Sequence, residues 1–140
     1  MQQEQEKKQK RNNKGLHAVG RRKTATCTIN MVEGDGESLV NGKKLEVYFT
    51  MPTEKASIFK PFAVTNTIGK YHFAARVSGG GISGQADAVK LAIARCLSSL
   101  SEDLHATLAA NSLLTRDPRA KERKKIFFVR ARKKPQYSKR

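Results

Sequence analysis

Acidic residues are scarce in this sequence: twelve Asp and Glu stand against 28 Lys and Arg, a formal net charge of +16 over 140 residues. A run of about 18 apolar residues is also missing, so no segment is expected to span a membrane. The opening MQQEQEKKQKRNNK lacks the apolar stretch that a secretory signal needs. Its Glu4 and Glu6, and its lack of serine, argue against an organelle transit peptide. Only two cysteines occur, Cys27 and Cys96, far apart in otherwise apolar runs. They form neither a metal-ligand spacing nor a disulfide framework, so buried, reduced thiols in a cytosol-like compartment are expected. His17, His72 and His105 fall in three different segments, and no Ser/His/Asp arrangement links them. Acid pairs occur only in turns and at a helix start. No enzyme, metal or cofactor is implied by these residues.

The cations that are present are segregated. Residues 1–24 hold eight Lys/Arg against two Glu, a net +6, and residues 116–140 hold twelve against Asp117 and Glu122, a net +10. The stretch between them carries eight of each sign and is neutral. A neutral body with two cationic arms calls for a polyanion, since such arms repel themselves and cannot pack alone. Nucleic acid is the favoured partner over a surplus that serves solubility only.

Local patterns predict one small domain. Residues 1–15 are polar and aperiodic and are expected to be disordered when free. His17 to Met31 alternates, with Thr24, Thr26 and Thr28 on one side and Ala25, Cys27 and Ile29 on the other, which predicts one strand. VEGDGE predicts a turn, SLV a short strand and NGK a tight turn, while LEVYF is ambiguous. PTEKASIFKPF predicts a helix beginning at Pro52 and ended by Pro61. Ile68–Val77 predicts a strand. Ala86, Val89, Ile93, Cys96, Leu97 and Leu100 share a face of a long helix over 85–100, and Ser101 opens another. TRDPRAKERKK reads as a basic turn or short helical stretch, IFFV as a last strand, and ARKKPQYSKR as an arm without a core pattern. Strands first and helices on one side suggest α+β.

The glycine-rich RVSGGGISGQADAV suggests phosphate binding, because Gly79, Gly81 and Gly84 fit the G-x-G-x-x-G spacing. A dinucleotide site also needs a second βαβ strand and an acidic residue about 20 positions on. Glu102 and Asp103 have that spacing but open a helix. A Walker loop fails because Gln85 and Ala86 replace Lys-Ser/Thr. Two readings remain compatible with each other. The glycines let strand and helix approach closely, or the loop and helix N-terminus meet a nucleic-acid phosphate. In GRRK, Gly20 to Lys23, three consecutive cations cannot all face a core, so they meet solvent or an anion; a charged, aggregation-resistant edge is the plainer alternative. In the last arm, Arg and Lys alternate with Pro135 and Tyr137. Arg offers bidentate phosphate contacts and Tyr can stack on a base or ribose. Extended, residues 126–140 could reach about 50 Å at roughly 3.3 Å each.

Three stretches together carry a resemblance: GRRKTA (20–25), GGGISGQADAVKLAIARCL (79–97) and LLTRDPRAKERKK…ARKKPQYSKR (113–140). VNGKKLEVYF and IGKYHFAARVSGGG also match. Over residues 16 to 140 the chain resembles the family of the bacterial-type ninth protein of the small ribosomal subunit. That resemblance implies a mixed sheet with helices on one face and a left-handed crossover, similar to the second domain of ribosomal protein S5. It divides the chain into an N-terminal extension (1–15), a globular α+β rRNA-binding domain (16–115) and an extended basic tail (116–140). It implies small-subunit rRNA in the head, neighbouring head proteins and peptidyl-site tRNA as partners, with no cofactor, membrane or homo-oligomer. The ribosome would be cytoplasmic, with a plastid or mitochondrial one as the alternative. Contact with tRNA would fall on Ser138, Lys139 and Arg140. Contact with rRNA would fall on Arg21, Arg22, Lys23, Gly79, Gly80, Gly81, Gly84, Gln85, Arg116, Arg119, Arg123, Lys124, Lys125, Arg130 and Arg132. Lys133, Lys134 and Tyr137 of the basic arm complete the expected rRNA contacts. The chain departs from the family after ERKK, where Ile126-Phe127-Phe128-Val129 replaces the usual Tyr-Gly-Leu-Lys; this added apolar bulk would pack on a protein or an RNA minor groove. Cys96 stands for a small Ala or Gly, and Ala92 for a common Gly. The rivals are a sequence-indifferent nucleic-acid binder outside the ribosome and a nucleotide-binding enzyme.

Overall fold

The computed structural model describes residues 15–139. The alternation read between His17 and Met31 belongs to two strands, not one. β1 (Leu16–Arg22) and β2 (Ala25–Glu33) form an antiparallel hairpin whose connection is only Lys23 and Thr24. Lys23 has φ 52°, the left-handed conformation that a two-residue hairpin demands. Neither connecting residue is a typical turn former, so nothing in the pattern marks the reversal. Gly20, Arg21 and Arg22 of GRRK thus close β1, and only Lys23 enters the turn.

In β2, Ala25, Cys27, Ile29 and Met31 are buried, while Thr26 and Thr28 are half-buried on the opposite face, as the alternation requires. The next hairpin, β3 (Leu39–Val40) and β4 (Lys43–Lys44), turns at Asn41-Gly42, with φ of 50° and 78°. Asn41 extends the sheet with its side chain: its Nδ2 donates to the Val77 carbonyl at 2.9 Å, and its Oδ1 accepts from the Val77 N–H at 2.8 Å. The ambiguous LEVYF forms a single turn, α1 (Leu45–Tyr48), followed by α2 (Pro52–Val64).

α2 does not stop at Pro61, contrary to expectation. The ring of Pro61 is fully buried, so packing offsets the hydrogen bond its missing N–H cannot make. The end comes at Thr65, whose hydroxyl donates to the Pro61 carbonyl at 2.8 Å. β5 (Tyr71–Ser78) starts later than the apolar pattern suggests, because Ile68 to Lys70 turn through Gly69 at φ 78°. α3 (Ile82–Ser98) starts earlier than expected and takes Gly84 and Gln85 into its first turn. α4 (Glu102–Ala110) begins on Ser101, whose Oγ accepts from the Leu104 N–H. IFFV forms no strand: Lys125 to Phe128 close a turn through the Phe128 N–H and the Lys125 carbonyl.

The sheet order is β1-β2-β5-β3-β4, antiparallel except where β3 runs beside β5. The result is the α+β mixed sheet that the sequence and the resemblance imply. Helices cover one face. The stack of Phe62 on Phe73, centroids 6.4 Å apart, joins α2 to β5. α3 is the central element, with ten buried residues spread around its circumference, Gly84, Ala88 and Ala94 among them. Leu100, expected on its buried face, lies beyond the helix and is exposed. The expectation for residues 1–15 lies outside the described residues except for Gly15, which is half-buried.

β1 and α3 meet backbone to backbone at Gly20. A Cβ there would run into the Ala88 carbonyl oxygen and come within 2.8 Å of the Ala92 nitrogen. Gly20→Ala is therefore expected to destabilise the domain by about 2 kcal/mol or more, in the upper part of the range for overpacked sites. Thermal unfolding of the purified chain would measure this. A change below a few tenths of a kcal/mol would show that the two backbones can separate freely.

Candidate nucleic-acid interface

The glycines of the phosphate-like loop serve two ends. Gly79 and Gly80 have φ of 73° and 64°, and a Cβ on Gly79 would lie 2.6 Å from the Thr24 carbonyl oxygen. These two glycines let the loop between β5 and α3 press against the β1–β2 turn. Gly81 differs: space around it is open, and it sits at the N-cap of α3, where no side chain accepts the first N–H groups. Gly84 makes only ordinary contacts with Arg22 and Ala25. Gln85 is committed within the chain. Its Nε2 donates to the Gly79 carbonyl at 3.0 Å, and its Oε1 accepts from the Tyr48 hydroxyl at 2.7 Å. The unit that a dinucleotide would need is not formed, since α3 runs into α4 rather than into a second parallel strand.

Arg22 ties this corner to the root of the basic tail. Its Nη1 donates to the Arg119 carbonyl at 2.7 Å, its Nη2 lies 3.1 Å from Asp117 and its Nε 3.6 Å from Asp87. Asp117 also takes the Arg119 backbone N–H and its guanidinium. The Arg119 side chain, then its backbone N–H, with a smaller contribution from Arg22, holds the Asp117 carboxyl well below the usual carboxylate range. A carboxyl with a lowered pKa contributes its full stability above the ordinary value and loses it progressively as pH falls from there through the lowered one. The joint is thus intact throughout the neutral range.

Three segments remote in sequence therefore converge: the Arg22–Thr24 turn, the Gly79–Gly81 loop with the N-terminus of α3, and the tail root at Arg116–Arg119. Arg21 and Lys23 are exposed beside them and make no ion pair among the described residues. Sequence reasoning missed Arg95, Lys60 and Lys90. Arg95 donates to the Val19 carbonyl at 2.6 Å and lines a shallow cleft with Arg21 and Arg116. Lys60 and Lys90 flank Arg22 in a second cleft. The available signal was a lone cation beside the apolar positions of a helix, exposed at Lys60 and Arg95 and half-buried at Lys90.

Beyond Arg119 the tail has no regular structure, and nearly all of it is exposed. Arg123, Lys124, Arg130, Lys133, Lys134 and Lys139 point no charge at an acid among the described residues, and Tyr137 is 88% exposed. Glu122 is the exception to the cationic run. It pairs with Lys125 and with Arg132, both at 2.9 Å, and these two, Lys125 foremost, lower its pKa. Inside that clip Phe127 occupies the left-handed region at φ 65°, where the resemblance puts a glycine. The turn is kept without the glycine, at a cost on the order of 1–2 kcal/mol for a side chain in this conformation. Ser138 and Lys139 are exposed near the end, and Arg140 lies outside the described residues. At the other extreme, burial pushes the Cys27 thiol up to about 12 and the Cys96 thiol to about 11, so both are inert packing groups at neutral pH.

Removing the guanidinium should free the tail root without unfolding the sheet. Arg22→Ala is expected to speed tryptic cleavage at Arg116 and Arg119 several-fold, with Arg22→Lys intermediate because it cannot bridge three acceptors. Mass spectrometry of timed digests reads this directly, and unchanged cleavage would mean the root is held by something else.

Comparison with known proteins gives the family. Residues 20–140 match the profile of the family described as ribosomal protein S9/S16. Proteins named small ribosomal subunit protein uS9 are close in sequence. The one from Dehalococcoides mccartyi (strain ATCC BAA-2100 / JCM 16839 / KCTC 5957 / BAV1) is 49% identical over 122 residues, covering 87% of this chain and 92% of its own. That from Thermotoga neapolitana is 47% identical over 129 residues, 90% of this chain and 96% of its own. That from Gemmatimonas aurantiaca is 46% identical over 125 residues, 89% and 97% respectively. The segregated charge, the mixed sheet under one layer of helices and these matches lead to one conclusion: the chain belongs to the ribosomal protein S9/S16 family, a family of structural, non-enzymatic components of the ribosome.

Proposed function

We propose that this chain is a structural constituent of the small ribosomal subunit that binds small-subunit rRNA in the subunit head and sends its C-terminal tail to peptidyl-site tRNA. The observation that carries the reading is the convergence of hairpin turn, glycine loop and tail root into one cationic corner from which the tail departs. The names of its relatives support the same subunit, and bacterial relatives favour a ribosome in a bacterial cytoplasm.

Within this reading the residues divide into two kinds. Arg21, Lys23 and Arg116 neutralise rRNA phosphates at the corner, and Arg119, paired with Asp117, presents the outer side of its guanidinium to them. The open N–H groups at Gly81 and the start of α3 donate to a phosphate there. Arg22, Gly79, Gly80, Gly84 and Gln85 hold the corner in shape. Along the tail, Arg123, Lys124, Lys125, Arg130, Arg132, Lys133 and Lys134 track the rRNA backbone, and Tyr137 stacks on a base or ribose. Ser138, Lys139 and Arg140 meet the tRNA. Neighbouring head proteins complete the partners.

If about eight cations displace counterions, log K for rRNA should fall by roughly 6 to 7 per decade of salt. A slope near zero would defeat the electrostatic basis. Equal affinity for any RNA, with no co-sedimentation with small subunits, would favour an indifferent binder outside the ribosome. The tail is tested by comparing small subunits that carry the full chain with subunits whose chain ends at Tyr137. A loss of about 0.5–2 kcal/mol in peptidyl-site tRNA affinity, shrinking as salt is added, is expected. Equal affinity with the shortened chain incorporated would confine the protein to rRNA architecture.

A further inference from the structure

The most exposed large apolar side chain among the described residues is Phe127, at 91%, with Ile126 at 74% and Val129 at 51% beside it. No ring of the chain packs on it among the described residues. The loop that carries it is ordered by its own bonds. The Phe128 N–H donates to the Lys125 carbonyl at 3.2 Å, the Val129 N–H donates to the Lys133 carbonyl at 2.8 Å, and Glu122 clips Lys125 to Arg132. Seven cations surround the ring in sequence: Arg123, Lys124, Lys125, Arg130, Arg132, Lys133 and Lys134.

We propose that Phe127 is a base-stacking residue, its ring lying on the face of an unpaired nucleotide of the RNA that the tail crosses. The proposal rests on the rRNA-binding reading above and names the group that one tail residue meets. The charge around the ring selects a polyanion. Three apolar side chains on a narrow loop fall far short of the roughly 800 Å² per partner that a stable protein interface buries, whereas one ring matches one base. The base is unpaired, because inside a duplex both faces are already stacked on neighbours. Stacking tolerates any base, so Phe127 adds affinity and register while the flanking cations supply phosphate contacts. A ring held at a fixed point on an ordered turn loses less freedom on binding than one on a loose chain.

The test uses small subunits assembled with the full chain, natural or carrying Phe127→Gly, Phe127→Ala or Phe127→Trp. Glycine adopts the turn's positive φ without strain, so the Phe127→Gly loss is not a folding defect. Chemical probing of unpaired bases should find one or two that are protected by the natural chain and by Phe127→Trp but reactive with Phe127→Gly and Phe127→Ala. Affinity for subunits lacking the chain should drop roughly 5- to 150-fold with Phe127→Gly, by the same factor at low and high KCl, because the lost contact is uncharged. A photoreactive amino acid replacing Phe127 should cross-link to RNA. Identical base reactivity in all four assemblies, or a cross-link to a neighbouring protein, would overturn the stacking while leaving the rRNA-binding reading intact. Failure of the natural chain to enter small subunits would overturn both.

Discussion

At Gly20 no side chain fits between β1 and α3. Gly20 faces the backbone of Ala88 and Ala92 directly, and the rest of the molecule is arranged around that approach. It brings the first turn of α3 under the β1–β2 hairpin. Gly79 and Gly80 must then bend through left-handed conformations to connect β5 to the helix. Arg22, at the end of β1, is left beside Asp87 of α3, within reach of Asp117 and Arg119. A packing constraint in the core thus decides where the charged corner stands.

The electrostatic design separates holding from reaching. Acids that sit among the cations are spent on joints. Asp87 and Asp117 share Arg22, and Glu122 shares Lys125 and Arg132. Arg123, Lys124, Arg130, Lys133, Lys134 and Lys139 are left facing no acid among the described residues. A single guanidinium bridging two carboxylates and a carbonyl fixes the departure point of the tail, which a lysine's point charge could not do as well.

Much of this was legible in the residues. The charge segregation, the alternation in β2, the apolar face of α3 and the Asn41-Gly42 turn all followed from composition and period. The β1–β2 reversal did not, because Lys23 takes a positive φ that its side chain does not advertise. Nor did the passage of α2 through Pro61, since burial of that ring is a tertiary fact. IFFV looked like a strand because β-prone residues cluster there, yet no neighbouring strand offers it hydrogen bonds. At the interface, Arg22 and Gln85 were singled out by motif as rRNA contacts, whereas the bonds they make here turn inward. Arg95 and Lys60 reach the cationic surface only because the helices that carry them pack where they do.

The clip at Glu122 also governs length. Arg132 lies ten positions beyond Glu122, and a fully extended stretch of that length spans about 33 Å. Closed by an ion pair at 2.9 Å, its two ends stand only two side chains apart. The tail therefore stores slack. Its contour is that of every residue beyond Arg119, but its span is shorter by the folded loop. An exposed ion pair is weak, so opening the clip lengthens the same tail without adding a residue.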